Sequence, residues 1–302
     1  MSDQALQPSR QLPAPAAVLE LLKPVTWFAP MWAFMCGAVS SGASFSENWW
    51  RVVLGMVLAG PLVCAASQAA NDWYDRHVDA INEPNRPIPS GRIPGQWGLY
   101  IAIFWSVLSL AVGALLGTWA FVGTLIGVAL AWAYSAPPFR LKLNGWYGNA
   151  AVGLSYEGLA WFTGAAVMLN GLPSPVIIFL AAVYSFGAHG IMTLNDFKAI
   201  EGDKQLGIRT LPVQMGPERA AWFACILMAL AQFAAIWMVA AIGRPVFAGA
   251  IAVLTVIQLY LMAVMLRDPR AKAPWYNATG VTLYVLGMLI AAFAVAPLQG
   301  LM

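Results

Sequence analysis

Nine apolar stretches, most of them about twenty residues long, decide what this chain can fold into. They are predicted at residues 24–43, 51–70, 97–117, 119–135, 149–169, 175–194, 218–242, 245–266 and 278–297. A helix rises about 1.5 Å per residue, so about twenty apolar residues cross a hydrocarbon core roughly 30 Å thick. Sixty percent of the residues are hydrophobic and only 10% are charged, which excludes an ordinary soluble domain. We therefore predict an all-α membrane protein with about nine transmembrane helices.

The basic residues are unevenly distributed among the loops that join these stretches. When loops are assigned alternately to the two sides, fourteen of the sixteen Lys and Arg residues share one side, and only Arg51 and Arg244 lie opposite. Loops rich in Lys and Arg stay in the cytoplasm, so we expect a cytoplasmic N-terminus. Residues 1–23 lack a signal-peptide pattern and are predicted to form a cytoplasmic tail, and residues 24–302 a single transmembrane domain.

A dense acidic segment follows the second apolar stretch. It reads NDWYDRHVDAINEPNRPIPSGR from Asn71 to Arg92 and holds four of the chain's thirteen acidic residues. On a helix, Asp72, Asp75 and Asp79 fall within roughly 60° of arc, so their carboxylates share one face. Such carboxylates repel one another unless a cation binds them, and Mg²⁺ prefers oxygen ligands and often shares substrate phosphates. The segment therefore predicts a Mg²⁺ site, with a solvated helix end as the alternative.

The same Asn-Asp-aromatic triplet recurs 124 positions later, in NDFKAIEGDKQLGIR from Asn195 to Arg209. Asp196 and Asp203 share a face if the helix continues, whereas Glu201 points away unless the helix breaks. Two unrelated solvated loops would have no reason to match, so we interpret the two motifs as halves of one metal-diphosphate site. Their positions after the second and sixth stretches predict two four-helix halves plus a ninth helix around a central cavity.

Basic, amide and aromatic side chains near the motifs are candidates to bind the substrates. Three prolines stiffen the loop that carries Arg86, so this loop can hold the guanidinium over the acids. The planar guanidinium matches two phosphate oxygens. Arg92 fits a phosphate ligand and a membrane anchor equally. Tyr134 lies one turn inside the membrane, where its ring would face a developing carbocation or belong to an interfacial belt. The polar candidates for substrate binding are Asn71, Arg86, Arg140, Lys142, Asn195, Lys198 and Lys204.

Two ionisable side chains lie deep in apolar stretches, Glu157 in the fifth and His189 in the sixth. Ionisable groups at such depth are costly and usually pair with one another or line a cavity. His189 precedes Asp196 by seven residues on nearly the same face, so we expect both to face one cavity. Glu157 and His189 are both substrate-binding candidates, and the alternative is that each forms an interhelical hydrogen bond. Phe28 is a candidate for the pocket wall.

Cysteine spacing and net charge exclude other classes of site. Cys36, Cys64 and Cys225 lie in apolar stretches without paired spacing, which indicates buried thiols and neither a disulfide nor zinc. The net charge of +3 is small, and the bases lie between membrane stretches, so nucleic acid is not an expected partner. The lipid bilayer is the expected environment, and no oligomeric state is predicted.

Several of these segments together carry a family resemblance. Asn71-Asp72-x-x-Asp75-x-x-x-Asp79, the YSAPPFRLK loop and the motif centred on Asp196 resemble the UbiA superfamily of intramembrane prenyltransferases, essentially from Pro24 onward. Within that superfamily, NDWYDRHVDAINEPNRPIPSGRIP, NGWYGN and NDFKAIEGDKQLGIRTLPVQMG are similar to the chlorophyll and bacteriochlorophyll synthases. The segment SYEGLAWFTGAAVM favours the bacteriochlorophyll branch.

The resemblance implies a nine-helix fold in which Mg²⁺ bridges both motifs and an isoprenoid diphosphate. Many relatives carry another acid three or four residues after the position of Asp196, where this chain has Ala199 and Ile200. The second motif would then depend on Asp196, Asp203 and Glu201. The implied ligands of the metal or the diphosphate are Asn71, Asp72, Asp75, Asp79, Asp196 and Asp203, with Asp72, Asp75, Asp196 and Asp203 on the metal.

The implied reaction joins the propionate of bacteriochlorophyllide a to geranylgeranyl or phytyl diphosphate at the inner, photosynthetic membrane. A relative with a different acceptor, such as chlorophyllide, a quinone precursor or haem, would carry the same acidic motifs. A transporter or a pigment-binding protein is the second alternative. Transporter sites usually lie near the bilayer midplane, whereas these carboxylates lie at one face, so the pattern favours an enzyme.

Overall fold

The computed structural model describes residues 12–296. The range excludes residues 1–11 of the expected tail, which include Arg10, and residues 297–302, which include Pro297 of the last predicted stretch. Within the described part of the tail, Pro15–Leu21 forms a short helix that ends just before the membrane domain.

The described residues form nine apolar segments, numbered here as spans 1 to 9. In chain order these are Phe28–Ser40, Trp49–Asn82, Trp97–Leu115, Thr118–Ser135, residues 145–169, Pro175–Asn195, Pro217–Ala241, Pro245–Met265 and Pro269–Val295. Seven helices in this part of the chain are long and apolar enough to cross a membrane. Span 1 is a shorter apolar helix, and span 5 is a continuous rod that contains a π-helical turn. The predicted all-α class and the predicted order of spans are confirmed.

The last span starts earlier than the sequence predicts, at Pro269 instead of residue 278. Arg270 and Lys272 made its first turns look like a loop. Asp268 caps this helix by accepting a hydrogen bond from the Ala271 amide at 3.3 Å, and proline is well tolerated at the first helical position because its missing N–H has no intrahelical partner there. Capping therefore extends the helix through its charged first turns.

Spans 1 and 5 touch backbone to backbone at two glycines. A Cβ atom added at Gly37 would lie 2.0 Å from the Trp161 carbonyl oxygen, and one added at Gly164 would lie 2.1 Å from the Phe34 carbonyl oxygen. Small residues permit this approach in membranes, where lipid is as apolar as a side chain and close packing provides much of the association. The two glycines thus join the first half of the chain to the second.

Spans 6 to 9 are linked by a buried chain of polar side chains. Tyr184 donates to Gln232 at 3.2 Å, Gln232 donates to Gln258 at 3.1 Å, and Gln258 donates to the Tyr276 hydroxyl at 3.1 Å. Buried amides are costly unless they are paired, and here each one finds a partner on a neighbouring helix. The three cysteines are buried and free, as predicted.

Candidate active site

A cavity of about 510 Å³ opens between spans 1, 2, 4, 5 and 6. Most of its lining is apolar, and its polar residues include the first residue of each acidic motif, Asn71 and Asn195. Asn71 donates to the Ser135 hydroxyl at 3.4 Å, and Asn195 accepts from Asn277 at 2.8 Å. The fold therefore brings segments from the two halves of the chain to one cavity.

The first motif presents its carboxylates on one face of span 2. Asp72 is only 2% exposed and accepts from the Lys23 ammonium at 2.6 Å. The Arg86 guanidinium bridges Asp72 at 3.5 Å and Asp79 at 2.8 Å, and it also pairs with Glu83 at 2.8 Å. The shared face of Asp72 and Asp79 and the position of Arg86 over them agree with the sequence prediction.

Asp75 is paired with the loop that follows span 4. The Lys142 ammonium lies 2.5 Å from an Asp75 oxygen, and the Arg140 guanidinium lies 3.8 Å from the same oxygen. Burial lowers the pKa of Lys142 because it disfavours the charged form, although the adjacent Asp75 opposes this shift. Both substrate-binding candidates of this loop, Lys142 and Arg140, thus lie beside Asp75.

The second motif begins where the α-helix of span 6 ends. Residues Asp196–Ala199 form a 3₁₀ turn, and a short α-helix follows over Ile200–Gln205. Asp196 accepts from the Asn149 amide at 3.2 Å, and Asp203 accepts from the Thr210 hydroxyl at 3.1 Å. Asp196 and Asp203 are thus each held by a neutral donor, whereas the aspartates of the first motif are held by cations.

The 3₁₀ turn directs two of the candidate residues away from the acids. The Glu201 side chain is 67% exposed and pairs with Arg270 at 3.3 Å and with Lys204 at 3.9 Å. The exposed position of Glu201 agrees with the helical period, whereas the pairing of Lys204 with Glu201 does not fit the prediction that Lys204 binds the diphosphate. Lys198 remains within electrostatic reach of Asp196.

Tyr134 and a backbone bridge connect the two motifs. Tyr134 lines the cavity together with Asn71 and Asn195, the first residues of the two motifs. Below the cavity mouth, the Gly145 amide donates to the Arg209 carbonyl at 2.8 Å, and the Arg209 amide donates to the Leu143 carbonyl at 2.9 Å. The loop after span 4 is therefore fixed to the loop after the second motif.

His189 lies outside the cavity, contrary to the expectation that it shares one with Asp196. Its Nε2 atom lies 3.2 Å from the Trp146 carbonyl oxygen, and its ring packs against Trp146 and Phe223. The neighbouring Ala188 and Met192 face the cavity instead. A helix turns about 100° per residue, so the residue after Ala188 points to another face.

The other candidates divide between cavity and surface. Phe28 and Glu157 both line the cavity, and Phe28 stacks on Trp32 with ring centroids 5.8 Å apart. Arg92 binds Glu20 at 2.5 and 2.8 Å on the short helix Pro15–Leu21. Arg92 thus anchors that helix and leaves Arg86 as the guanidinium over the first motif.

Two supporting residues escaped the sequence analysis. Lys23 was counted only as a basic residue of the tail, yet it reaches Asp72 from a left-handed backbone conformation with φ of 48°. Such a φ is uncommon for a residue with a side chain. Asn149, within the NGWYGN segment, holds Asp196. The signal available for Asn149 was a polar amide at the start of an apolar stretch. The sequence contains no such signal for Lys23, because its contact joins residues 49 positions apart.

The donors at the cavity mouth fit a hard divalent cation that binds together with a diphosphate. Among residues 12–296, no three His, Cys, Asp or Glu side chains form a ready-made metal cage. Asp72 nevertheless keeps a buried oxygen, Oδ2, without a hydrogen-bond partner in the described chain. Mg²⁺ usually takes one or two carboxylates and completes its shell with water and substrate phosphates, so this oxygen-only donor set suits it.

Comparisons with known proteins agree with this arrangement. The UbiA prenyltransferase family matches residues 27–286. The bacteriochlorophyll synthase 33 kDa chain of Cereibacter sphaeroides is 62% identical over 290 residues, which covers 96% of each chain. The chloroplastic chlorophyll synthase of Oryza sativa subsp. japonica is 40% identical and covers 91% of this chain and 76% of that one.

The fold is shared with a solved structure. A UbiA homologue from Archaeoglobus fulgidus bound to DMAPP and Mg²⁺ superposes with a TM-score of 0.72 at 22% identity, covering 90% of this chain and 99% of that one. The family match and the near full-length relatives extend over spans 1 to 9. This multi-pass membrane protein therefore belongs to the UbiA prenyltransferase family.

Proposed function

We propose that this protein esterifies the propionate of bacteriochlorophyllide a with geranylgeranyl or phytyl diphosphate and releases diphosphate. The observation that carries the proposal is the meeting of two acidic motifs, 124 residues apart, at one apolar cavity in a chain 62% identical to a bacteriochlorophyll synthase. The lower identity of 40% to a plant chlorophyll synthase favours bacteriochlorophyllide over chlorophyllide as the acceptor.

The diphosphate is held at the cavity mouth by charge. Asp72, Asp75, Asp196 and Asp203 would hold Mg²⁺, whose positive charge would stabilise the departing diphosphate. The basic side chains around the acids supply further positive charge toward the same group. Arg86 and Lys142 lie within 3 Å of motif carboxylates, so the fold places positive charge beside the proposed diphosphate site.

The bond exchange at carbon needs no strong protein base. The allylic C–O bond to diphosphate breaks, and a carboxylate oxygen of the acceptor forms the new bond to that carbon. A propionic acid has a reference pKa near 4 and is already ionised at neutral pH. Apolar walls formed by residues such as Val63, Leu130 and Leu159 exclude water from the allylic cation, and the Tyr134 ring offers its face to the positive charge.

The site opens to the cytoplasm in the inner, photosynthetic membrane. Lys142, Lys198 and Arg209 lie in the loops around the cavity mouth, and the loops at the opposite ends of the spans carry almost no positive charge. Lys- and Arg-rich loops remain cytoplasmic. A water-soluble Mg²⁺-diphosphate headgroup can then enter from the cytoplasm while the hydrocarbon tail stays in the bilayer.

Product analysis of defined membranes tests this function. Membranes that contain the protein receive bacteriochlorophyllide a and geranylgeranyl diphosphate, with matched samples given chlorophyllide or a quinone precursor. We expect the bacteriochlorophyllide ester by mass spectrometry and its loss on chelation, with recovery when Mg²⁺ is restored. Prenylation of the quinone precursor in place of the pigment would overturn the acceptor, and full activity in chelator would overturn the metal role.

A further inference from the structure

Glu157 is a buried acid on the cavity wall. Glu157 is only 8% exposed. It lines the cavity together with Ser155 and Thr163. Within residues 12–296, the Glu157 side chain makes no hydrogen bond and no ion pair, and only its backbone carbonyl accepts a hydrogen bond, from the Ala160 amide. An ionised carboxylate in apolar surroundings is costly unless a cation or a hydrogen-bond donor meets it. The position therefore indicates a ligand that supplies the missing partner.

The local backbone of span 5 changes at this residue. Residues Leu154–Leu159 form a π-helical turn between two α-helical segments. Such single π turns are rare and occur frequently at functional sites, because the extra residue redirects neighbouring side chains. The turn is thus consistent with a backbone adjusted to present a polar group within the membrane.

The partner of Glu157 does not come from the cavity wall. None of the described residues that line the cavity is a lysine or an arginine. The basic residues of the site surround the acidic motifs at the mouth, where Asn149 contacts Asp196. Glu157 lies eight residues further along the same span, about 12 Å deeper at 1.5 Å per residue. A ligand that brings positive charge to that depth would give Glu157 the cationic partner that the wall does not supply.

The substrates differ in what they can offer at this depth. A prenyl tail is hydrocarbon and carries no charge beyond its diphosphate. The allylic cation forms next to the diphosphate, at the mouth. The tetrapyrrole acceptor places its propionate at the mouth. Its central Mg²⁺ then lies deeper in the cavity, at a distance equal to the propionate arm plus half the width of the macrocycle. Magnesium in a planar macrocycle has open axial positions and prefers oxygen ligands.

We propose that Glu157 is a substrate-binding residue that supplies an axial oxygen ligand to the central Mg²⁺ of the tetrapyrrole. The inference rests on the proposed function and adds a specificity contact to it. The carboxylate gains the cation it lacks in the protein, and the macrocycle is fixed at a depth that leaves its propionate beside the diphosphate. Glu157 thereby selects pigments that carry a metal over pigments that do not.

Pigment binding without any prenyl diphosphate tests this contact. Purified full-length protein and its Glu157→Leu and Glu157→Gln variants are titrated with bacteriochlorophyllide a and with its metal-free counterpart, bacteriopheophorbide a. Groups that merely support a metal ligand contribute about 10–100-fold to metal affinity, so we expect Glu157→Leu to bind the Mg²⁺ pigment at least about tenfold more weakly. Binding of the metal-free pigment should be unchanged, and Glu157→Gln, which keeps an oxygen donor, should retain part of the preference.

A matched control separates this contact from a general loss of charge. Glu218→Gln removes an exposed carboxylate at the start of span 7 and should leave both affinities unchanged. If the Glu157→Leu variant loses affinity equally for both pigments, or loses none, the inference is overturned. Ester formation by the wild-type protein would still support the proposed function in that case. Failure of the wild-type protein to bind or esterify either pigment would overturn the proposed acceptor, and the inference with it.

Discussion

Cationic side chains pair with the aspartates of the first motif. Asp72 is nearly fully buried and is met by Lys23 and Arg86, while Asp75 is met by Lys142. A buried carboxylate without a counter-charge would be strongly destabilising. These pairs therefore stabilise the folded site, and the same cations lie where they would bind phosphate oxygens.

Replacement of Asp72 by Asn tests the charge of the buried carboxylate at nearly constant shape. The variant loses one negative charge and one metal oxygen, so we expect the turnover rate to fall on the order of a hundredfold or more. The measurement is the steady-state rate of ester formation by purified enzyme at saturating Mg²⁺. Glu218→Gln is the control for loss of an exposed carboxylate. An Asp72→Asn rate within twofold of the wild type would contradict a metal role for this residue.

Helical periodicity was enough to place some site residues and not others. The 3.6-residue period placed Asp72 and Asp79 on one face, and the observed Arg86 bridge between them follows from it. The same period predicted that Glu201 points away from Asp196 and Asp203, and the exposed Glu201 indeed pairs with Arg270. Lys23 escaped because its contact with Asp72 depends on tertiary folding.

At the level of helices, the cavity depends on how spans 1, 2 and 5 pack. Span 2 carries a π-helical segment over Leu58–Cys64 that includes Pro61, whose missing N–H interrupts regular α-helical bonding. The Trp105 indole of span 3 donates to the Pro61 carbonyl at 3.0 Å. Both π-helical segments in spans 2 and 5 contribute to the cavity lining, so departures from α-helical geometry coincide with the site.

Enlarging Gly164 tests the backbone contact between spans 1 and 5. Gly164→Val places a branched side chain where a Cβ atom alone would lie 2.1 Å from the Phe34 carbonyl oxygen, so the helices must separate. Overpacking of this kind typically costs about 1–3 kcal/mol, and a backbone obstacle favours the upper end. Thermal unfolding in detergent should show a lower midpoint.

The control for this change is Gly249→Ala in span 8, where an added Cβ meets nothing within 4 Å. Alanine favours a helix by up to about 1 kcal/mol over glycine, so this variant should unfold at the same temperature or slightly higher. Equal midpoints for the Gly164→Val variant and the wild type would contradict close packing of spans 1 and 5.

Across the whole molecule, the site is made where the two halves of the chain meet. Spans 1, 2 and 4 line the cavity from the first half, and spans 5 and 6 line it from the second. In the described chain, spans 3, 7, 8 and 9 contribute no lining residue. Spans 7 to 9 instead stabilise span 6 through the buried Tyr184 and Gln232 network. The order of the spans was predictable from hydropathy. Which spans line the cavity and which only pack behind them depends on tertiary packing, which hydropathy does not show.

The most direct test is the position of a bound diphosphate. A structure of the full chain with Mn²⁺ in place of Mg²⁺ and an unreactive geranylgeranyl thiodiphosphate would locate the metal by its anomalous signal. We predict metal against the diphosphate at the cavity mouth, with Asp72 from the first motif and Asp196 from the second both coordinating it, directly or through water. A diphosphate that touches only one motif, or lies at the opposite end of the spans, would contradict the single two-motif site.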